Sequence, residues 1–364
     1  MTSSPSTHRP LGKDGPLVPR IGFGAMGLGS SRTAVPLPDD QRFAVLDCAY
    51  EVGSTFWDTS DIYGDSEELI GKWFAKNPDK RKDIFLATKF GAIQYPNGGF
   101  GFRGDAEYVA IACEQSLKRL NVDTIDLWYP HRLDGSTPVE HIVAEMVKLK
   151  EQGKIRYIGL SEVTAATLRR AHAVHPISCV QMEYSMFSTE IESPEYNLLK
   201  TCRELGVAVV AYSPLSRGLL TGSLKGPGDF DKGDARQFYP RFSPENFPKN
   251  MELVNAVKEV AAKKGITAGQ TALAWLLSQG DDIFPIPGTI TRKFIKENFD
   301  ALDVHLTRDE MREIRELVDK ASVFGERYPA AHAYGLFADT PLPEEWKEQK
   351  RGNGIMGYIV PPAE

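Results

Sequence analysis

The sequence alternates short apolar runs with amphipathic runs of helix length, and this alternation constrains the fold more than any other feature. Eight apolar runs predict strands at 21–25, 55–58, 84–89, 125–131, 155–160, 179–182, 207–212 and 283–286. Helices are predicted at 39–52, 66–76, 106–120, 139–152, 164–174, 195–205, 251–279 (broken at 264–265), 292–300 and 307–320. Strands that alternate with helices need crossover connections, so they form a parallel sheet that is covered on both faces.

A strand that is apolar at every position supports the parallel sheet. Residues 207–211 read VAVVA, without the alternation of a sheet that has one face in water. Eight strand–helix units close naturally into a (β/α)8 TIM barrel. We therefore predict an α/β fold with an N-terminal β-hairpin, this barrel, a long loop after the seventh strand and a C-terminal extension. A doubly wound open sheet is the competing architecture.

The length of 364 residues is compatible with one barrel domain, because such barrels run to 250 residues and more. We predict a single domain over 1–364, with a core at about 10–320 and a tail at 321–364. The segments 91–104 and 213–249 fit no strand–helix unit. They follow the third and seventh strands, so both loops are expected at the C-terminal face, where active sites of barrels form.

The composition narrows the classes of function. Hydrophobic residues make up 41% and charged residues 25%, which is ordinary for a globular protein. The net charge of −6, without an extended lysine–arginine cluster, argues against a nucleic-acid or anionic-membrane partner. No apolar run reaches the roughly 18 residues of a membrane span, and no signal-peptide core is present. Four scattered cysteines are expected to be buried and reduced, as in a cytoplasmic protein: Cys48, Cys113, Cys179 and Cys202.

Residues 22–27 read GFGAMG, which matches the GxGxxG pattern of dinucleotide-binding folds. That pattern requires a strand before it and a helix directly after it, whose N-terminus holds a pyrophosphate. Here Pro19 lies in the preceding run, and LGSSRTAVP at 28–36 cannot begin a helix. The pattern therefore favours a glycine-rich strand end with its backbone close to a ligand over a Rossmann site.

Four polar residues stand where apolar strands end. Asp58, Lys89 and His131 close the predicted second, third and fourth strands, and Tyr63 follows Asp58 by five residues. The carboxyl ends of neighbouring barrel strands meet at one mouth, so these side chains are expected to converge. Each has a structural alternative by itself: a turn cap, a solvated lysine or a packed aromatic ring. Because all four residues stand at a strand end or just beyond one, a shared functional site is the favoured interpretation.

These residue types suit the reduction of a carbonyl, which needs a hydride at carbon and a proton at oxygen. A tyrosine hydroxyl with a pKa of about 10 is a poor acid at neutral pH. A buried Lys89 next to Tyr63 is expected to lower that pKa by roughly 1–3 units. Asp58 would balance the lysine charge. His131 can orient the carbonyl or share in proton transfer.

The motifs around these residues, and several later ones, resemble those of the aldo-keto reductase superfamily over about residues 10–320. The motifs are WDTSDIYG at 57–64, ATK at 87–89, WYPHRLD at 128–134, IGLS at 158–161, VQMEY at 180–184, YSPL at 212–215, IPGT at 286–289 and EN at 297–298. The chain is most similar to the microbial and plant reductases near the potassium-channel β-subunit branch. The resemblance implies NADP(H)-dependent reduction of an aldehyde or ketone to an alcohol, with Asp58, Tyr63, Lys89 and His131 as the catalytic set. Tyr63 would be the acid.

The same resemblance implies the cofactor site. Ser161 and Gln181 would hold the nicotinamide carboxamide, and Tyr212 would stack on the ring. The loop after the seventh strand would line the pyrophosphate, largely through backbone N–H groups, with Arg217 able to add charge. The expected cofactor-binding residues are Gly24, Met26, Ser161, Gln181, Tyr212, Ser213, Pro214, Leu215, Arg217, Gly218, Gly288, Thr289, Arg292, Glu297 and Asn298. For Glu297 and Asn298, expected near adenine, the alternative is solvated helix surface.

Two positions depart from the family pattern. Glu162 follows the serine where many relatives have asparagine. Ile290 stands where relatives often have a basic residue for the 2′-phosphate, and Arg292, Lys293 or Arg241 would have to replace it. NADP(H) is therefore the expected cofactor, with NAD(H) as an alternative.

The expected partner is a small carbonyl compound, with Arg132 and five candidate pocket aromatics around it: Phe23, Tyr95, Phe100, Phe102 and Trp128. These aromatics favour an aromatic or apolar aldehyde or ketone, although core packing accounts for them equally well. A nicotinamide-binding regulatory or redox-sensing subunit with little turnover is the main alternative, and His131 weighs against it. A metal-dependent hydrolase would need more ligands at strand ends, and no metal is expected. The oligomeric state is left open.

Overall fold

The computed structural model describes residues 7–29, 37–94, 99–230 and 233–346. Its strands are β1 (His8–Pro10), β2 (Leu17–Pro19), β3 (Phe23–Gly24), β4 (Phe56–Asp58), β5 (Phe85–Phe90), β6 (Ala92–Gln94), β7 (Phe100–Phe102), β8 (Ile125–Pro130), β9 (Ile155–Ser161), β10 (Cys179–Glu183), β11 (Ala208–Tyr212) and β12 (Ile283–Pro285). Its helices are α1 (Asp39–Glu51), α2 (Ser66–Lys76), α3 (Ala106–Leu120), α4 (Val139–Glu151), α5 (Ala165–Val174), α6 (Leu198–Leu205), α7 (Phe247–Lys264), α8 (Ala268–Ser278), α9 (Arg292–Phe299), α10 (Arg308–Lys320) and α11 (Ala330–Ala333). Short 3-10 turns connect several of them.

Eight parallel strands form the barrel in chain order, from β3, β4 and β5 through β8 to β12. Backbone N–H groups of Gly22 and Gly24 donate to the carbonyl oxygens of Pro285 and Pro287 at 3.0 and 3.2 Å. These bonds join the first strand to the last and close the sheet. The predicted (β/α)8 barrel is confirmed, and β1 and β2 form the predicted N-terminal hairpin.

Alternation along each strand sorts the side chains into two layers. Phe56, Leu127 and Tyr129 belong to the inner layer that fills the barrel. Their neighbours Trp57 and Trp128 belong to the outer layer beneath the helices. Alternate residues of a strand thus point to the inner layer, and we call these positions the inner parity and the others the outer parity. A residue at a strand's carboxyl end reaches the mouth only if it has the inner parity.

The structure differs from the sequence-based prediction in a few elements. The segment 91–104, predicted as loop, contains the antiparallel hairpin β6–β7. Helix α7 begins at Phe247 instead of 251, because Pro248 lies in the first turn, where its missing N–H costs no helical hydrogen bond. Helix α6 begins at Leu198 instead of 195, after Asn197 in a left-handed conformation.

Residues 22–27 belong to the barrel wall. A 3-10 turn (Ala25–Leu28) follows β3 instead of the α-helix that a Rossmann site needs. A Cβ at Gly24 would lie 2.8 Å from the carbonyl oxygen of Ile286. The glycine is thus required by the close approach of β3 to the segment after β12, which explains the pattern without a pyrophosphate.

Two further predictions from composition can be compared with the structure. All four cysteines are buried and none forms a disulfide, as predicted. Among the described residues, no helix combines the length and the apolar character that a membrane span requires.

Candidate active site

The four predicted catalytic residues converge at the carboxyl ends of β4, β5 and β8. Lys89, which has no exposed surface, forms an ion pair with Asp58 and donates a hydrogen bond to the carbonyl oxygen of Thr59 at 2.8 Å. Its Nζ lies 5.0 Å from the ring centroid of Tyr63. The rings of Tyr63 and His131 meet edge to face, with centroids 5.5 Å apart. The chain thus brings an acid, a cation, its counter-charge and an imidazole together.

The Asp58 carboxylate has two more partners. Tyr129 Oη and Gln181 Nε2 each donate to its Oδ2 at 2.8 Å. Gln181 also donates to Tyr129 Oη at 3.0 Å. Gln181 therefore holds the counter-charge of Lys89, a role that the sequence did not suggest. Tyr129 was missed altogether, although it stands two residues before His131 and so shares its parity.

Burial and charge act in opposite directions on the proton-transferring groups. Burial lowers the pKa of Lys89, but the charge of Asp58, followed by that of Tyr63, raises it by more. The pKa of Lys89 is therefore above its usual value, and the lysine stays charged. Burial raises the pKa of Tyr63 more than the Lys89 charge lowers it. The expected net decrease of the Tyr63 pKa is therefore not found. Tyr63 stays protonated, and Lys89 remains placed to stabilise the phenolate once the proton leaves.

His131 is held as a neutral imidazole. Burial, then the charges of Lys89 and Arg132, lower its pKa well below the usual range. Its Nδ1 lies 3.0 Å from Ser60 Oγ, a contact that the sequence did not predict. A neutral ring in this position can donate or accept one hydrogen bond towards the mouth, but it cannot supply a positive charge.

Arg132 lies beside the catalytic group. It donates to the His131 carbonyl oxygen at 2.7 Å, to Ser161 Oγ at 3.3 Å and to Tyr212 Oη at 3.4 Å. Tyr212 in turn donates to Glu162 at 2.8 Å. Ser161 and Tyr212, predicted to contact nicotinamide, therefore stand together at the ends of β9 and β11, with Arg132 between them.

A buried ionic cluster lies next to this group. It consists of three carboxylates and three guanidinium groups: Glu162, Glu183, Glu190, Arg217, Arg241 and Arg327. Arg327 comes from the C-terminal segment and donates to both oxygens of Glu162, at 3.2 and 3.3 Å. Its neighbour Tyr328 lies 3.2 Å from Tyr212 Oη. The sequence predicted a C-terminal tail at 321–364 but left its role open.

The cluster changes the interpretation of two predicted cofactor contacts. Arg217 donates to both oxygens of Glu183, at 3.0 and 3.1 Å, so its charge is already balanced. Arg241 is buried, donates to Ser188 Oγ at 2.8 Å and pairs with Glu183 and Glu190. Both guanidinium groups are ion-paired within the protein in this arrangement. That Arg217 adds charge to the pyrophosphate site and that Arg241 replaces a 2′-phosphate ligand stay predictions, and each would require an arginine to exchange a carboxylate partner for a phosphate.

The loop after β11 has an unusual backbone. Ser213, Ser216 and Arg217 have φ angles of 48°, 49° and 55°, and Gly218 has 97°. Such left-handed positions cost of order 1–3 kcal/mol each outside glycine and concentrate at ligand sites. Pro214 is buried within this turn and Leu215 is half-buried. Compact turns of this kind direct successive N–H groups to one side, as anion sites do.

The predicted adenosine end lies around the start of α9. Gly288 is exposed, and a Cβ there would lie 2.7 Å from the carbonyl oxygen of Gly24. Thr289 Oγ1 accepts the N–H of Thr291 at 3.1 Å. Arg292 is exposed in the first turn of the helix. Met26 is half-buried in the turn after β3.

The two predicted adenine contacts lie one turn further along α9. Glu297 accepts a hydrogen bond from Thr267 Oγ1 at 2.8 Å, so it supports the N-terminus of α8. Asn298 is buried. The backbone carbonyl of Glu297 also accepts from Gln270 at 3.3 Å. In this arrangement Glu297 joins α9 to the N-terminus of α8.

Two of the predicted substrate contacts lie on the wrong side of the barrel wall. Phe23 and Trp128 are buried in the outer layer, and Trp128 stacks on Phe90 at 4.9 Å. Both have the outer parity of their strands, so they cannot line the mouth, and this expectation is corrected. Tyr95 lies outside the described residues.

Phe100 and Phe102, two of the expected pocket aromatics, border the mouth together with Tyr334, which the sequence did not suggest. The Phe102 ring lies 5.3 Å from both Phe100 and Tyr334. A Cβ at Gly335 would lie 2.9 Å from Phe102 and 3.2 Å from the side chain of Arg132. These three residues, called the aromatic rim below, thus adjoin the predicted substrate-contacting arginine.

Residues 20–319 match the family model described as the aldo/keto reductase family. The chain belongs to the aldo/keto reductase family. It is 51% identical over 336 residues to aldo-keto reductase yakc of Schizosaccharomyces pombe, whose name specifies NADP(+), covering 92% of this chain and 97% of the relative. It is 48% identical over 345 residues to aldo-keto reductase str7 of Strobilurus tenacellus, covering 93% and 100%.

Solved aldo-keto reductases share the fold. The glycerol dehydrogenase AKR11B4 from Gluconobacter oxydans is 28% identical, with a TM-score of 0.77 over 88% of this chain and 97% of that one. The thermostable aldo-keto reductase Tm1743, solved with the inhibitor epalrestat, is 29% identical, with a TM-score of 0.69 over 85% and 99%. The matched region contains all four predicted catalytic residues, whereas Arg327 and the rim residue Tyr334 lie beyond the family model's last matched residue.

Proposed function

We propose that this aldo-keto reductase reduces an aldehyde or ketone to an alcohol with NADPH, and that Tyr63 donates the proton. The observation that carries the proposal is the placement of Lys89 between Asp58 and Tyr63. An ammonium that is fully buried and ion-paired adjoins a phenol that burial keeps protonated. This is the arrangement that an acid needs if it is to release its proton only when negative charge develops on a neighbouring oxygen.

Each residue has a separate role in the proposed reaction. Tyr63 Oη gives its proton to the carbonyl oxygen, and Lys89 stabilises the phenolate that remains. Asp58 balances Lys89 and is itself held by Tyr129 and Gln181. His131 donates a hydrogen bond to the same carbonyl oxygen and so orients the substrate.

The residues at the mouth fit a nicotinamide dinucleotide. The left-handed turn at Ser213–Gly218, the exposed Gly288 and the exposed Arg292 offer backbone N–H groups and one cation along a path from the catalytic group to α9. When bound, the reduced nicotinamide supplies the hydride for the carbonyl carbon. Ser161 would bind its carboxamide, Tyr212 would pack on its ring, and Arg292 would pair with the 2′-phosphate.

The aromatic rim defines the proposed substrate class. Its rings, from β7 and the C-terminal segment, border the mouth together with Arg132. Rings at this position would bury the apolar part of a substrate, while the carbonyl is directed to Tyr63 and His131. We therefore infer a preference for aromatic or otherwise apolar aldehydes and ketones.

The proposal is tested by following NADPH oxidation with a panel of aromatic, aliphatic and polyhydroxy aldehydes and ketones, in parallel with NADH. The account predicts turnover with NADPH that is fastest for the aromatic compounds. NADPH binding without turnover of any carbonyl would instead support the regulatory, nicotinamide-binding alternative. Equal affinity for NADPH and NADH would contradict the assignment of NADP(H).

A further inference from the structure

Ser60 connects His131 to a second carboxyl group that the proposed reaction does not use. Ser60 Oγ lies 3.0 Å from His131 Nδ1 and 3.3 Å from Asp61 Oδ1. Two backbone contacts are longer: the Lys89 carbonyl oxygen lies 3.5 Å away and the Ile62 N–H donates at 3.4 Å. A histidine, a hydroxyl and a carboxyl group therefore form a short hydrogen-bonded chain behind the catalytic imidazole.

A hydroxyl has only one proton, and its two shorter contacts, to His131 and Asp61, allow two arrangements of the chain; the contact with the Lys89 carbonyl oxygen is at the 3.5 Å limit of a hydrogen bond. If Asp61 is protonated, it donates to Ser60, Ser60 donates to His131 Nδ1, and the ring proton resides on Nε2. If Asp61 is ionised, Ser60 donates to the carboxylate and accepts from His131 Nδ1–H instead, and Nε2 is a bare acceptor. Only in the first arrangement can a neutral His131 donate a hydrogen bond from Nε2 to a substrate carbonyl.

We propose that Ser60 and Asp61 are positioning residues that determine which ring nitrogen of His131 carries the proton. The inference rests on the proposed function for the role of His131 towards the carbonyl. The inference adds one condition to the proposed function. Reduction needs Asp61 in its protonated form, because only then is Nε2 of His131 a hydrogen-bond donor. Neither residue touches substrate in this account, and both act through the imidazole.

The surroundings of Asp61 favour the protonated form at neutral pH. Burial, followed by the negative charge of Glu67, raises the pKa of Asp61 to about 8, against the opposing effects of the Arg119 charge, the hydrogen bond from Ser60 and the Lys89 charge. Tyr108 also faces it, since the Asp61 charge contributes to the raised pKa of that phenol. Glu67 itself accepts hydrogen bonds from Thr88, Ser116 and Arg119.

The direction of the pH effect follows from these charges. The carboxyl group of Asp61 keeps its proton below a pH of about 8 and loses it as the pH rises through that value. His131 then changes from the Nε2–H to the Nδ1–H tautomer without gaining charge. Carbonyl reduction should decrease over the same range, and Tyr63 does not account for this loss because its own pKa is raised above the usual tyrosine value.

The test reads the tautomer directly. The protein is labelled with ¹⁵N-histidine, and the two ring-nitrogen shifts of His131 are followed by NMR from well below to well above the pKa of Asp61, without and with NADP(+). The chain has seven histidines, so a His131→Asn variant assigns the signals. We expect the Nε2–H form at low pH and the Nδ1–H form at high pH, with a midpoint near 8.

Three variants separate positioning from a purely structural effect. Asp61→Asn offers an amide N–H to Ser60 at every pH, so His131 should stay in the Nε2–H form and the alkaline loss of kcat should disappear. Ser60→Ala removes the link, so the tautomer should no longer follow the ionisation of Asp61. Glu68→Gln removes a more exposed carboxylate of α2 and serves as the matched control, with the wild-type transition retained.

A single His131 tautomer across the whole pH range in the wild type would overturn the proposal. A transition in Asp61→Asn identical to the wild-type one would do so as well. The two proposals can fail separately, because the NMR measurement does not depend on turnover. If no carbonyl is reduced but the tautomer follows Asp61, the proposed function fails and the hydrogen-bonded chain stands.

Discussion

Tyr129 donates a 2.8 Å hydrogen bond to one oxygen of Asp58, while the other oxygen forms the ion pair with Lys89. A buried ion pair is tolerated only when the remaining acceptor positions are also satisfied, because desolvation costs several kcal/mol per ion. Tyr129 and Gln181 fulfil that condition at the centre of the barrel. The Lys89 ammonium is therefore supported indirectly, through the hydrogen-bond partners of Asp58.

Replacing Tyr129 by phenylalanine tests this support. A hydrogen bond to a charged group contributes about 1.5–3 kcal/mol, so Tyr129→Phe should lower the free energy of unfolding by that amount. Its kcat should decrease less than that of Tyr63→Phe, because Gln181 still holds Asp58. Urea unfolding gives the stability. Tyr50→Phe, which removes an exposed hydrogen bond to Asp83, is the control and should change stability little. A Tyr129→Phe protein as stable as the wild type would contradict the role of Tyr129 in supporting Asp58.

Strand parity explains which site residues the sequence could identify. Asp58, Lys89 and His131 were found because a polar residue at the end of an apolar strand is conspicuous. Tyr129 was missed because it is interior to its strand and resembles a core aromatic. Trp128 was misplaced for the complementary reason: it is near His131 in sequence but has the opposite parity.

The charge of Lys89 should govern the pH dependence of reduction. In Lys89→Met the phenol of Tyr63 loses its cationic neighbour, so its pKa, already raised by burial, rises further. The loss of kcat that follows ionisation of Tyr63, at pH values above the Asp61 transition, should move to still higher pH, and the maximal rate should fall because a weaker acid transfers its proton less readily. The measurement is kcat against pH, and a wild-type profile in Lys89→Met would exclude the coupling.

Arg292 is the proposed ligand of the 2′-phosphate. A charged hydrogen bond is worth about 1.5–3 kcal/mol, which corresponds to roughly 10- to 150-fold in affinity. Arg292→Ala should weaken NADPH binding by that order and leave NADH binding nearly unchanged, as measured by quenching of intrinsic fluorescence. If the affinities for NADPH and NADH fall equally, the Arg292 side chain does not bind the 2′-phosphate. Arg241→Ala should instead destabilise the fold and reduce both affinities alike, because Arg241 is buried among carboxylates.

Arg327 should contribute strongly to stability. Removing one partner of a buried ion pair costs about 3–5 kcal/mol when nothing replaces it. Arg327→Met should approach the lower part of that range, since Glu162 keeps the hydrogen bond from Tyr212 and Glu183 keeps Arg217. Thermal unfolding measures the effect. Arg312→Met, which breaks an exposed pair with Asp309, is the matched control and should have little effect. Equal effects of the two substitutions would contradict the interpretation.

The sequence could not reveal the role of the C-terminal segment. Residues 321–346 have no helical or strand period, and only the tertiary fold places Arg327 beside Glu162 and Glu183. For the same reason, Arg217 and Arg241 seemed free for phosphate groups when their partners were unknown. Glu162, identified as a departure from the family pattern, is explained by this cluster: a carboxylate there balances Arg327.

The central claim is that Tyr63 is the proton donor, and Tyr63→Phe tests it most directly. General acid catalysis contributes about 10²- to 10⁴-fold, so kcat for carbonyl reduction should fall by that factor. The NADPH dissociation constant, measured by fluorescence quenching, should be nearly unchanged, because the hydroxyl contributes little to cofactor binding. Tyr157→Phe, at a tyrosine of β9 whose ring packs on Phe85, is the control and should retain activity. A Tyr63→Phe enzyme with wild-type kcat would contradict the account.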